Sequence, residues 1–152
     1  MHGASIEIRI FNLCLSPPAF HAYTGSDYTA AFYNRGKVRP LKIFSKSETY
    51  QKCFASLTEE ADIFLSEKMD VVQEFTVAVY GIKHCTKVNH PRYQIFLKNF
   101  SAKEDSEKFL KKVRSFDSNT IPPCWESLKQ NILRTIFVNS MWLHATDSNC
   151  IK

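Results

Sequence analysis

The apolar positions of this chain recur mostly at intervals of three and four, the spacing that turns one face of an α-helix toward a core. One stretch differs. Ile6, Ile8 and Ile10 alternate with Glu7 and Arg9, a period of two that predicts a short N-terminal strand, ended by Pro17-Pro18. After it the patterns predict helices. Thr24 to Asp27 has the form T-x-x-D, a capping box for a short helix running to about Tyr33. Asn34 and Gly36 both tolerate positive φ and predict a turn. A second helix is expected from about Lys37 to Ser45, with Pro40 in its first turn, where a missing N–H costs little. On it Val38, Leu41 and Phe44 would face one way and Arg39, Lys42 and Lys46 another.

Further along, "SETYQKCFASL" predicts a helix with Tyr50, Phe54 and Leu57 on one side. The acidic stretch "EEADIFLSEKMD" continues it or bridges to the next. Met69, Val72, Phe75, Val79 and Tyr80 mark that next helix, and Gly81 is its natural C-terminal stop. "KHCTK" reads as loop. Asn89 can cap a helix carrying Tyr93, Phe96, Leu97 and Phe100, and Phe109, Leu110, Val113 and Phe116 mark one more. The clearest helix follows Pro122-Pro123, with Leu128, Ile132, Ile136, Asn139 and Leu143 in register and Trp125 and Trp142 near its ends. The fold class expected is mainly α, about six helices with one short strand at most.

With 152 residues, 44% hydrophobic and 23% charged, the chain can bury one sizeable core. The expected organisation is an N-terminal segment (1–18), a helical domain (19–146, with a helix-turn-helix over 19–46) and a tail (147–152). No apolar run approaches the roughly 18 residues that span a membrane. "MHGASIEIRIFNLCL" lacks a basic n-region, so no signal peptide is expected. Five cysteines (Cys14, Cys53, Cys85, Cys124 and Cys150) form no C-x-x-C pair, which argues against a zinc ribbon or a thioredoxin-type site. Reduced, mostly buried thiols are expected, in an intracellular protein, nuclear rather than cytoplasmic.

Charge sharpens this picture. Between Asp27 and Glu48 there is no acidic residue but five basic ones: Arg35, Lys37, Arg39, Lys42 and Lys46. The other 15 basic residues balance the 15 acidic ones, so the formal charge of +5 belongs to this one segment. A concentrated excess of this kind suits an anion, and a turn leading into a helix N-terminus adds free N–H donors.

"TGSDYTAAFYNRGKVRPLKIF" resembles the flap endonuclease family of PIN-like nucleases. Its members carry a Gly-Ser/Cys-Asp-Tyr turn, a helix, a Gly-x-Gly turn and a basic helix. The resemblance implies a metal-ligand position for Asp27. It implies phosphate-gripping positions, of the helix-hairpin-helix kind, for Arg35, Gly36, Lys37, Arg39 and Lys42. Asn34 stands where the family has its first turn glycine, and Lys46 extends the basic helix. "FTVAVYG", "VNHPRYQIF" and "IPPCWESLKQNILRTIFVNSMWLHA" resemble a recurrent arrangement in transposon-associated animal proteins, which often continue into a tesmin-like CXC segment that binds DNA. Together these resemblances cover residues 19 to 146 and imply the C-terminal helical part of a PIN-like protein.

Two-metal phosphodiester hydrolysis needs several carboxylates converging on metals about 4 Å apart. Only 24 residues precede Gly25 here, and Glu7 is their one carboxylate. Asp27 is therefore read as a helix cap, with a vestigial metal role as the alternative. No catalytic residue and no cofactor are expected; magnesium is implied only if a complete nuclease site is assembled. Three readings stay open: a non-catalytic domain that binds nucleic acid, duplex DNA first; a structural or protein-interaction domain; and a nuclease whose other carboxylates come from another chain. His84, Cys85 and His90 lie close in sequence but lack a fourth ligand. No Walker, dinucleotide or nucleophile-elbow motif is present.

Overall fold

A computed structural model describes residues 16–57, 66–82, 84–100 and 116–145. Among them are six α-helices: α1 (16–23), α2 (Val38–Ser45), α3 (Glu48–Ala55), α4 (Ser66–Val79), α5 (Asn89–Phe100) and α6 (Trp125–His144). A 3-10 turn, Ser118–Thr120, precedes α6. The mainly α expectation holds, and the described residues contain no strand beyond an isolated bridge, Ser26 to Thr29. The proposed strand over 6–10 and the helix marked by Phe109 and Val113 lie outside the described residues.

The core is built around α4. Val72, Gln73, Phe75, Thr76, Val77 and Val79 are all buried, so this helix is covered on more than one face, as a central helix must be. Its end follows from its sequence. Gly81 adopts φ +85°, its N–H donates to Ala78 O at 2.9 Å, and Ile82 N–H donates to Val77 O at 3.2 Å. That pair of bonds is a Schellman motif, which satisfies carbonyls the helix would leave unpaired. α3 packs beside α4 in the opposite direction: Tyr50 lies by Glu74, Cys53 by Lys68. Its start is capped by Ser47, whose Oγ accepts from Tyr50 N–H at 3.3 Å.

Five rings from four helices fill the centre. Phe75 lies 5.2 Å from Phe54, 6.1 Å from Tyr23 and 6.2 Å from Phe20, and Phe20 lies 4.6 Å from Phe44. Most of these pairs are tilted or edge-on, the arrangement ring quadrupoles favour. α6 closes the core with one stripe, Leu128, Ile132, Thr135, Ile136 and Asn139, at helical spacing. Two amides on that stripe tie it to the rest. Asn131 Nδ2 donates to Tyr23 O at 3.3 Å, and Asn139 Nδ2 to Leu57 O at 2.9 Å. Both accepting carbonyls sit where α1 and α3 end, so a buried polar stripe on α6 supplies partners for helix termini.

Three sequence expectations change. Residues 24–33 form no helix. Thr24 Oγ1 donates back to Phe20 O at 2.8 Å and Thr29 Oγ1 donates to Ala22 O, so both threonines serve the end of α1. Gly25 turns the chain with φ +115°, and Ser26 and Thr29 exchange backbone bonds at 3.3 Å. The T-x-x-D pattern suits a tight turn as well as a cap, and the unpaired carbonyls of α1 decide for the turn. Helix α1 itself, with Ala19, Phe20, Ala22 and Tyr23 buried, was not foreseen, and it runs across the 18/19 boundary. On α2 the buried face is Pro40 with Phe44, while Val38 and Leu41 are 69% and 51% exposed.

Candidate nucleic-acid interface

The turn before α2 forms as its residue types require. Asn34 and Gly36 both take φ +53°, the left-handed region that Asn and Gly enter most cheaply. Nothing lies within 4 Å of a Cβ placed on Gly36, so its glycine answers to backbone conformation, not crowding. α2 then opens at Lys37, whose side chain makes no cap bond. The first helical bond runs from Leu41 N–H to Lys37 O at 3.0 Å. Pro40 removes one first-turn donor, leaving Val38 and Arg39 N–H at the helix mouth.

The basic residues of the segment divide by what they touch. Arg35 belongs to the fold. Its guanidinium carbon lies 4.4 Å above the Tyr80 ring, and Nη2 donates to Thr120 O at 3.3 Å. The arginine thus clamps the turn between the end of α4 and the 3-10 turn. Burial pushes the Tyr80 hydroxyl above its ordinary pKa, and the Arg35 charge works against that shift. Lys37 is positioned by α1: Nζ lies 2.6 Å from His21 Nδ1. An ammonium only donates, so Nδ1 accepts and the ring proton sits on Nε2. His21 in turn packs against Trp142 of α6, ring centroids 5.8 Å apart.

Arg39 lies across the end of α4, its Nη2 at 2.6 Å from where a Cβ on Gly81 would stand. Lys42 and Lys46 are exposed. Arg39, Lys42 and Lys46 are spaced i, i+3, i+7 and form one stripe about 10 Å long on the side of α2 away from Phe44. None of Lys37, Arg39, Lys42 and Lys46 has a carboxylate partner among the described residues. The sequence grouping of seven residues therefore becomes four exposed cations, with Lys37 held by His21 and Arg39 lying over Gly81, a turn made by Asn34 and Gly36, and one structural arginine.

Asp27 is a different case. It is exposed, at the second position of the Ser26–Thr29 turn, and it neither caps a helix nor bonds Thr24. No group of three or more His, Cys, Asp or Glu side chains that could hold a metal occurs among the described residues. His84 and His90 do not converge on Cys85: its Sγ donates to Lys87 O at 3.3 Å, and His90 Nε2 pairs with Gln94 at 2.8 Å. Asn89 caps, but a helix other than its own. Its Oδ1 accepts from Trp125 N–H at 3.0 Å, at the first residue of α6.

Two arginines that sequence reasoning left inside longer motifs emerge beside the turn. Arg92 and Arg134 both line a cleft of about 450 Å³ between residues 30–33, the 118–123 segment and α6. The fold brings them to one cleft beside the 30–33 loop, across 42 positions of sequence.

Fold and surface together define a mainly helical domain with an exposed basic stripe that has no carboxylate partner among the described residues. No protein-family model, no curated protein and no solved structure matches the chain. No described helix is long and apolar enough to cross a membrane.

Proposed function

We propose that this chain is a non-catalytic nucleic-acid-binding helical domain, related to the mobile-element, flap-endonuclease-like proteins its motifs resemble, and that duplex DNA is its partner. The observation that carries this reading is the stripe of Arg39, Lys42 and Lys46 with Lys37 at its head, exposed and without carboxylate partners among the described residues. Successive phosphates of one strand lie roughly 7 Å apart as they wind about the axis, so a stripe of about 10 Å with long side chains reaches two or three of them. The left-handed turn of Asn34 and Gly36 sets the helix mouth beside them. Arg35 positions that turn and touches no phosphate.

Fluorescence anisotropy of a short labelled duplex, titrated across salt concentrations, tests this. Two to four phosphate contacts give a log–log slope of roughly −2 to −4. Lys42→Glu/Lys46→Glu abolishes binding and Asp27→Ala leaves it unchanged. Absence of binding at about 50 mM salt, or binding indifferent to the double substitution, overturns the proposal.

A protein-interaction reading has its own observation. On the outer side of α6, Phe137 and Met141 are mostly exposed and, with Tyr28, line an apolar cleft of about 500 Å³. Sedimentation of the chain alone, showing concentration-dependent association lost in Phe137→Ser/Met141→Ser, would favour it.

A further inference from the structure

We propose that the cleft between residues 30–33, the 118–123 segment and α6 binds a single nucleotide unit: a base with its phosphate, from a free mononucleotide or an unpaired residue of a strand. In the strand form this rests on the nucleic-acid reading above; in the free form it stands without it. The cleft is of small-molecule size, about 450 Å³. Among the described residues its lining includes Arg92 and Arg134 and no carboxylate, a charge that favours an anion. Arg134 is exposed and has no hydrogen bond or ion pair among the described residues. Arg92 gives one Nη1 donor to Pro122 O and keeps the rest of its fork. A guanidinium with free donors matches the paired oxygens of a phosphate.

The remaining lining suits a base. Tyr33 is 47% exposed at the rim and offers a ring for stacking, and Pro123 offers a flat apolar wall. At the floor lies Asn131, 91% buried, its Nδ2 given to Tyr23 O, which fixes the amide against the end of α1. The rim is also held in place. Arg35 bonds Thr120 O and Arg92 bonds Pro122 O, so two arginines from different parts of the chain pin the 118–123 segment over the cleft. A site pinned in advance loses little freedom on binding.

Calorimetric titration of the full chain with nucleoside 5′-monophosphates, with a short single strand and with inorganic phosphate tests the assignment. Saturable binding of a mononucleotide is expected, about tenfold or more weaker in Arg134→Glu and in Tyr33→Ala. Both positions are exposed, and unchanged melting confirms that each variant is folded. Binding of the single strand but no mononucleotide restricts the site to strands, and must show the same dependence on Arg134 and Tyr33. Equal affinity for inorganic phosphate removes the base from the proposal and overturns it. So does saturation by an acidic peptide in the absence of any nucleotide binding. The duplex titration is read separately through Lys42 and Lys46. Duplex binding that survives while Arg134→Glu and Tyr33→Ala change nothing defeats the cleft alone. Mononucleotide binding without duplex binding defeats the basic stripe alone.

Discussion

Arg35 is the residue on which the structural and the sequence-based readings diverge most, and its replacement separates them. The sequence places it among the phosphate contacts. The structure lays its guanidinium on Tyr80 at 4.4 Å and bonds Nη2 to Thr120 O at 3.3 Å. A half-buried cation–π contact contributes about 0.5–1 kcal/mol and a long hydrogen bond to a charged donor about 1 kcal/mol. Arg35 Nε is buried without a partner, and losing that atom relieves part of the cost. Arg35→Ala should therefore destabilise by about 1–2 kcal/mol net. For a domain of this size each kcal/mol moves Tm by about 2–4 °C, so a fall of roughly 2–8 °C is expected in calorimetry. Arg35→Lys should recover little of it, since an ammonium lacks the planar fork. In the duplex titration the salt slope should stay that of the unaltered chain, whereas Lys42→Ala lowers its magnitude by about one. An Arg35→Ala chain with unchanged Tm and a slope reduced by one would refute the reasoning.

Phe75, fully buried among the rings of Phe20, Tyr23, Tyr50 and Phe54, should cost about 3–5 kcal/mol on truncation to Ala, measured by urea unfolding. Two glycines should behave differently. Gly25→Ala puts a Cβ 2.6 Å from that of Ala31 at φ +115° and should lower the unfolding midpoint clearly, while Gly36→Asn, with open space and a tolerated φ of +53°, should shift it little. Burial pushes the Cys53 thiol from 9.0 up to about 11. The unfolded chain then releases this proton first, so between pH 9 and 11 it binds fewer protons than the folded chain. Stability falls as pH rises through that window, by up to about 1.4 kcal/mol per pH unit from this thiol, and the fall should be shallower in Cys53→Ala.

Periodicity was enough wherever a helix met the core on one face. Tyr50, Phe54 and Leu57, the register of Leu128, Ile132 and Ile136, and the stop at Gly81 all follow from residue type and spacing. The left-handed turn at Asn34 and Gly36 was legible for the same reason: few residue types enter that region cheaply. Charge concentration in residues 35–46 needs no structure either, being a count along the chain. What failed was local pattern read without partners. T-x-x-D fits a cap and a turn equally, and the choice fell to the carbonyls of Phe20 and Ala22, which the sequence does not display. Val38 and Leu41 look like core and are exposed, because the face α2 turns inward is that of Pro40 and Phe44. Five basic residues look alike in sequence. Only packing decides that one is held on Tyr80, one by His21 and one over Gly81, and that Arg92 and Arg134 come to share a cleft. Propensity and charge are properties of a residue and its neighbours in the chain. Which side chains are left free to bind depends on contacts between helices far apart in sequence, and those exist only in the folded molecule.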